Sequence, residues 1–564
     1  MKYLPEKFEK PVLYAAIFGL LLTFYTLTRP LNHSESYDSL TFALFAENYS
    51  LGTAPDSRNI LFQATNRLLY LGAQSLGLEI GTLELIIGVN LLAASLALIL
   101  FAELMKNGFG ASPFSAWTGS FFLGLTYGFW RYSGAAEVYI PSIFLILCSL
   151  NVLLNYLDSH RRSRIRLFAA ALIAGVAVLY YQPNVIALIA TIPILFFKPL
   201  RILDLAIYSS VASLVILAGI VWSFVAVTGE TPEINELAGY ANSRIEEFND
   251  PPTVPEAAKK LILAAGHDVV SAHWTRTITS VRETLDPYIP GCVYNFNVAI
   301  YAGSGLQKFT MIAAALFAPI LILFAWIHWI ALGQWTMSKL NNRTIYLVGW
   351  FGLMTLIIAA MDPGSFEAFI PVLVPLTGML TIFVFEPCQR VGKHRILIAF
   401  LIILMCYNFF GGLILWRNQS GDYFYHKTSW IRQELTEKDT VLFNMHDNRI
   451  VDYVMYYSDV RVVYLTGEDE ITVGRNTPGI YCTSIEQFLA SIEYGDKLYV
   501  LEDVLAPDPA IKNCRYGQHR YDIAVQLAER LVGSSQLVNE GLFGKTYEVT
   551  LRNSRHHAVH ASKR

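Results

Sequence analysis

Hydrophobic positions along this chain fall in long blocks, not in the alternation of half-buried strands or the one-sided stripes of surface helices. Eleven apolar runs can be read, at about 11–28, 83–104, 114–130, 138–157, 167–181, 184–197, 203–228, 309–332, 344–361, 369–386 and 396–416. Most have the length that a helix needs to cross roughly 30 Å of hydrocarbon. Gln182-Pro183-Asn184 is all that separates the fifth run from the sixth. It reads either as a tight hairpin or as a kink in one long helix. The first run is long and lacks a small-residue cleavage site, so it predicts an anchor and not a removed signal peptide.

Beyond Trp416 the pattern changes. Short strand-like runs at 440–445, 461–465, 479–483 and 497–501 alternate with helix-like runs near 450–457, 484–493 and 521–532. Such alternation predicts a small α/β domain with a mainly parallel sheet. The first strand leads into His446-Asp447-Asn448, with no glycine-rich phosphate fingerprint, so nothing supports a nucleotide-binding Rossmann domain. The expected organisation is a membrane domain over 1–417, with external loops at about 29–82 and 229–308, followed by an extracytoplasmic α/β domain over 418–564. The basic end, 555–564, reads as a frayed tail.

Composition agrees with a membrane protein. Of 564 residues 54% are hydrophobic and 15% charged, against roughly 25% charged in soluble domains. The net charge of −3 carries no nucleic-acid signature. Six cysteines without a CxxC spacing exclude a disulfide scaffold and give no zinc motif. Cys482 and Cys514 share the predicted tail domain, and spacing cannot establish whether they pair.

Basic residues in short loops set the orientation. With the N-terminus in the cytoplasm, fifteen Lys and Arg fall on cytoplasmic segments: Lys2, Lys7, Lys10, Lys106, Arg161, Arg162, Arg164, Arg166, Lys198, Arg201, Lys339, Arg343, Arg390, Lys393 and Arg395. The short outside loops, near 131–137, 182–184 and 362–368, carry Arg131 alone. The tail domain then lies outside.

Two external segments hold candidate chemistry. In Ser34-Glu35-Ser36-Tyr37-Asp38, Glu35 and Asp38 would share a helix face. The apolar residues that follow, Leu40, Phe42, Leu44 and Phe45, suggest a helix at the headgroup level, where a carboxylate meets lipid-borne and water-soluble substrates together. The plainer reading is a solvated loop, with Ser36 or Asp38 as an N-cap. In the second segment Arg131 and Glu137 share a very short turn, where a charge beside hydrocarbon must be solvated, paired or functional. Here the plainer reading is an Arg131–Glu137 pair with Trp130 and Tyr139 as interfacial anchors. His267, Asp268 and His273 have no tight metal-ligand spacing.

An acidic residue in each of the first two external loops resembles the GT-C superfamily of integral-membrane glycosyltransferases. FWRYSGAAEVYIPSIFLIL is similar to a signature of the protein O-mannosyltransferase-like branch. YDSLTFALFAE with NILFQATNRLLYLGAQSLG resembles that branch's first loop, GVAVLYYQPNVIALIATIPILFF its next helical hairpin, and FEAFIPVLVPL a late helix start. The chain departs from the pattern in four places: Thr41 stands where a Glu is usual, Asn59-Ile60-Leu61-Phe62 replaces a Pro-rich turn, Gln182 replaces a His, and Glu367 occupies a usually basic position.

The resemblance implies an inverting transfer of sugar from a polyprenyl-phosphate donor to an extracytoplasmic acceptor, a protein hydroxyl or a cell-surface glycan. Asp38 is then the catalytic base, with Glu137 as its partner and Glu35 next in line. Arg131, Arg58 and Arg67 become candidates for the lipid phosphate, and Tyr139, Gln182 and Asn184 for the sugar. No cofactor and no metal site are expected, although some members of the superfamily use divalent ions. The compact length and the lack of a retention signal favour a bacterial plasma membrane over the endoplasmic reticulum. The competing class is a multi-pass transporter or lipid flippase. Against it, Glu84, Glu103, Asp204 and Glu386 all lie near span ends, not at the midplane.

Overall fold

The structure is a computed structural model. It describes residues 6–32, 38–48, 59–159, 163–192, 202–231, 233, 235–236, 253–271, 307–334, 342–361, 366–418, 422–443, 448–465, 471–473, 497–507, 517–541 and 544–550. The expected strand at 479–483, the helix at 484–493, Glu35, Arg58, His273, Cys482, Cys514 and the tail 555–564 lie outside these residues. Contacts divide the chain into two compact units, one of Met1–His33 and Phe45–Gly421, the other of Ser34–Leu44 and Asp422–Arg564.

The first unit is helical. Among the described residues its first α-helices are α1 (Glu6–Thr28), α2 (Asp38–Asn48, whose first residues belong to the second unit), α3 (Ile60–Ser75), α4 (Thr82–Glu103), α5 (Pro113–Leu125), α6 (Tyr127–Ser133), α7 (Tyr139–Asp158), α8 (Arg164–Tyr180) and α9 (Val185–Ala190). Among the described residues, eight helices are long and apolar enough to cross a membrane: Lys10–Thr28, Thr82–Gly108, Tyr139–Asp158, Ile202–Ala226, Met311–Leu332, Arg343–Ala360, Glu367–Arg390 and His394–Trp416. Each coincides with one of the eleven apolar runs. The other three runs fall, as far as they are described, on shorter helices; of the 184–197 run only 184–192 is described. The 114–130 run is cut by Thr126, whose extended backbone (φ −60°, ψ 142°) ends α5 and starts α6. The 167–181 run is the 17-residue α8. Tyr181 is extended (φ −150°, ψ 106°) and leads into a 3-10 turn, Gln182–Asn184, so α8 and α9 are not one unbroken helix.

Small and hydroxylated residues join these helices, as expected where neither lipid nor leucine supplies directional contacts. Ser120 Oγ donates to the Leu98 carbonyl at 2.7 Å, Tyr25 Oη to the Gly124 carbonyl at 2.9 Å, and Ser149 Oγ to the Ala170 carbonyl at 2.8 Å. On α8, a Cβ at Gly175 would come within 2.8 Å of Val215 Cβ, which shows how closely α8 meets helix Ile202–Thr228. The last two spans are separated by a tight turn. Gly392 (φ 73°) follows the helix ending at Arg390, and Lys393 N donates back to the Cys388 carbonyl at 2.9 Å, a Schellman cap that favours glycine.

Among the described residues the second unit contains a six-stranded sheet in the order β3-β2-β1-β4-β6-β5. The strands are β1 (Thr440–Phe443), β2 (Arg461–Leu465), β3 (Ile471–Val473), β4 (Leu498–Leu501), β5 (Ser535–Gly541) and β6 (Gly544–Val549). Helices Asn448–Tyr457 and Gly517–Val532 match two expected helices. The expectation of a mainly parallel sheet needs correcting. β1 runs parallel to β2 and β4, but β2–β3, β4–β6 and β5–β6 are antiparallel. The parallel strands form the centre, where β1 and β4 are buried throughout, and the antiparallel strands flank them.

Candidate active site

The turn holding Arg131 and Glu137 is built by its neighbours. Asn90 of α4 donates both amide hydrogens, to the Ala135 carbonyl at 2.6 Å and the Glu137 carbonyl at 2.7 Å. Gly134 is pressed against the chain leaving α1: a Cβ there would lie 2.6 Å from Pro30 Cδ and 2.9 Å from Arg29 Cβ. Trp130 Nε1 donates to Thr28 Oγ1 at 2.8 Å, and its ring packs on Phe24 with centroids 4.7 Å apart. Two spans therefore hold a turn whose own residues are too few to fold alone.

Inside this frame Arg131 is 0% exposed and Glu137 1%. The Arg131 guanidinium lies over the Trp416 ring at 5.3 Å and the Tyr132 ring at 5.6 Å. Trp416 is itself fixed. Its Nε1 donates to Tyr127 Oη at 2.7 Å, and its carbonyl accepts from Leu31 N and Asn32 N, both at 2.8 Å. Tyr127 packs edge-on against His267, with centroids 4.9 Å apart. His267 and Asp268 are both buried, and a Cβ at Gly128 would sit 2.8 Å from Asp268 Oδ1. Burying ionisable groups is costly unless the fold supplies partners, so such a gathering marks a candidate site. Among the described residues, no group of three or more His, Cys, Asp or Glu is arranged to hold a metal ion.

A second feature adjoins the turn. Glu367 is half-buried and accepts from Tyr132 Oη at 2.8 Å and from Tyr139 Oη at 3.1 Å. The rings of Tyr132 and Tyr139 meet edge to face, with centroids 5.6 Å apart, and Tyr139 meets Tyr181 in the same way at 5.3 Å. This carboxylate accepts hydrogen bonds from hydroxyl groups, here those of two tyrosines. Sequence reasoning reached Tyr139 but not Tyr132, Tyr181 or the use of Glu367. The signal available was the unusual acid at 367.

The remaining candidates are placed as follows. Gln182 is exposed, whereas buried Asn184 donates its amide to the Ala177 carbonyl at 3.0 Å, near the end of α8. Arg67 donates to the carbonyls of Ala46 and Glu47, at 2.8 and 2.9 Å, and so caps the C-terminal end of α2. Asp38 is half-buried in the first turn of α2, where the helix dipole favours a carboxylate. It belongs to the second unit, Glu137 and Arg131 to the first. Three residues on, Thr41 Oγ1 donates to Asp452 Oδ2 at 2.7 Å.

No protein-family model and no curated protein matches the sequence. Solved structures do. ArnT from Cupriavidus metallidurans bound to undecaprenyl phosphate matches with a TM-score of 0.50 and 12% identity, over 96% of this chain and 98% of that one. The apo state of the same protein gives the same figures. Archaeal oligosaccharyltransferase AglB from Archaeoglobus fulgidus, in complex with an inhibitory peptide and a dolichol-phosphate, matches with a TM-score of 0.42 and 11% identity, over 80% of this chain and 64% of that one. The chain is a multi-pass helical membrane protein with a small sheet-containing C-terminal domain. Its fold is similar to that of ArnT, in keeping with the fold class expected from the sequence.

Proposed function

We propose that the chain is an inverting glycosyltransferase that moves a sugar from a polyprenyl-phosphate carrier to an extracytoplasmic hydroxyl, on a protein or a cell-surface glycan. The observation that carries this reading is the buried turn. Arg131, fixed over Trp416, and Glu137 are enclosed together in a membrane protein of GT-C fold. ArnT, which shares that fold, holds undecaprenyl phosphate, a polyprenyl phosphate of the kind proposed here.

In this reading the N-terminus is cytoplasmic, the tail domain outside, and the membrane that of a bacterial cell. Asp38 takes the proton of the acceptor hydroxyl as its oxygen attacks the anomeric carbon. The bond from that carbon to the phosphate oxygen breaks on the opposite face, and its electron pair leaves on the phosphate. A phosphate needs little protonation to depart, so one base and cationic stabilisation suffice. Arg131 supplies the cation, with Arg58 and Arg67 as further candidates. Glu137 orients the base or the acceptor. Glu367 with Tyr132, Tyr139 and Tyr181 holds sugar hydroxyls, as do Gln182 and Asn184.

The test is mass analysis of surface glycans and glycoproteins in cells with and without the protein, joined to transfer assays on the purified chain with a panel of polyprenyl-phosphate sugars. A glycan that disappears with the gene and is restored by the parent chain, but not by Arg131→Ala, is the expected result. Unchanged glycans together with altered lipid distribution across the membrane would instead favour the flippase reading.

A further inference from the structure

The second unit contains a link between α2 and the tail domain that the reading above does not use. Asp452 lies on helix Asn448–Tyr457, and its Oδ2 accepts the Thr41 hydroxyl at 2.7 Å. Thr41 is one helical turn beyond Asp38, and residues three apart share a helix face. The link therefore lies beside the proposed base.

The helix carrying Asp452 is itself well anchored. Neighbouring Tyr453 is fully buried and donates to Asp422 Oδ2 at 2.7 Å, while Asp422 Oδ1 accepts Tyr425 N at 3.0 Å. Tyr453 also packs on Phe424, with ring centroids 5.6 Å apart. Asp452 is thus mounted on a helix that is tied to the start of the tail domain. A half-buried carboxyl is an expensive fastener for two helices. Burial pushes its pKa up to about 7, against the opposing effect of the Thr41 hydrogen bond. An asparagine would accept the same hydrogen bond without any ionisation.

We infer that Asp452 is a positioning residue of the transfer reaction: through Thr41 it fixes α2 to the tail domain and so sets the place of the Asp38 carboxylate. The tail domain then acts on the chemistry through Asp38, a residue of its own unit, in addition to any part it takes in acceptor recognition. The inference rests on the assignment of Asp38 as base.

The experiment uses the full chain in lipid nanodiscs and compares Thr41→Val, Thr41→Ser, Asp452→Ala, Thr41→Val with Asp452→Ala, and Asp38→Asn. Glu548→Gln, on β6 opposite Tyr499 of β4, is the control that should leave turnover unchanged. Loss of a positioning contact should lower kcat by roughly 10- to 100-fold, since small misplacements near reacting atoms have effects of that size. Donor KM should stay within about twofold. The double variant should be no worse than the worse single one, and Thr41→Ser should restore most of kcat. Hydrogen exchange over residues 38–48 should speed up in Thr41→Val, a readout that needs no activity and that survives if Asp452→Ala fails to fold. Unchanged exchange, or normal kcat in Thr41→Val while Asp38→Asn is inactive, overturns the positioning role alone. Full activity in Asp38→Asn overturns the base assignment and this inference with it.

Discussion

The guanidinium of Arg131 lies 5.3 Å above the ring of Trp416, the last residue of the final span, with no solvent exposure. A guanidinium set over an indole ring is held by more than its charge. Arg131→Lys keeps the charge but loses the planar fork. Donor affinity should fall by about tenfold or more, a loss of roughly 1.4 kcal/mol, with less change in kcat. Binding of a polyprenyl phosphate to the purified variant, followed by tryptophan fluorescence or calorimetry, checks this. Trp416→Phe also removes the bond to Tyr127 and should lower both affinity and thermal stability.

Asn90 ties α4 to the turn through two carbonyls, Ala135 and Glu137. Asn90→Ala leaves both carbonyls without their donor, and losses of about 1–3 kcal/mol are expected when buried groups lose a partner. Asn90→Asp should be worse, because an ionised carboxylate offers no donor to either oxygen. Gly134→Ala should match it, since the added carbon meets Arg29 Cα at 3.1 Å and backbone cannot step aside. Thermal melting of the purified chain measures all three, and a melting temperature unchanged in Asn90→Ala would refute the role given to this residue.

The apolar blocks carried most of the membrane fold, because a helix in lipid must be apolar along a fixed length. They did not reveal the break at Thr126. Its neighbours Leu125 and Tyr127 are as apolar as a span requires, and the break comes from an extended residue held by packing. In the tail, β1, β2 and β4 were legible as short apolar runs. The pairing of β5 with β6 was missed although Gly541 and Gly544 stand at its end, and β3 has only three residues, too few to show a period. The candidate site was legible where its residues are close in sequence, as with Arg131 and Glu137. Glu367 lies 235 positions from Tyr132, and Asp452 lies 411 from Thr41. No spacing rule reaches across such distances. The departure at Thr41 was visible in the sequence, but the carboxylate that meets its hydroxyl was not.

Orientation can be measured directly. Fifteen basic residues on one set of short loops, against Arg131 on the other, predict opposite sides for the segments after Arg166 and after Trp416. Reporter fusions at those points should be active in complementary assays, one cytoplasmic and one external. The same side for both would displace the proposed external site.

Asp452 gives the tail domain a pH signature. Its carboxyl is raised from 3.8 to about 7 by burial, with the Thr41 hydrogen bond acting the other way. Below about pH 4 it is neutral in folded and unfolded chains alike, and its contribution to stability is fully present. As pH rises through the interval to about 7 the unfolded carboxyl ionises first, so this stability is lost. Asp452→Asn has no such ionisation. Melting temperatures of the parent should therefore fall relative to Asp452→Asn between these limits and run parallel above them. Parallel curves throughout would show that the carboxyl titrates normally.

Asp38→Asn is the most direct test of the chemistry. The substitution keeps the size of the side chain and its place in the first turn of α2, and removes the basic lone pair. Removing a general base should reduce turnover by roughly two to four orders of magnitude. Donor binding and melting temperature should be nearly preserved, because neither depends on proton transfer. Glu137→Gln should also reduce turnover, by less, since an orienting group can be replaced in part by an amide. The comparison needs purified protein of equal quality and a defined polyprenyl-phosphate sugar. Transfer at the parent rate by Asp38→Asn would remove Asp38 from the mechanism. Glu35, three residues earlier in sequence, would then be substituted in the same way, and loss of transfer with donor binding intact would move the base to that position.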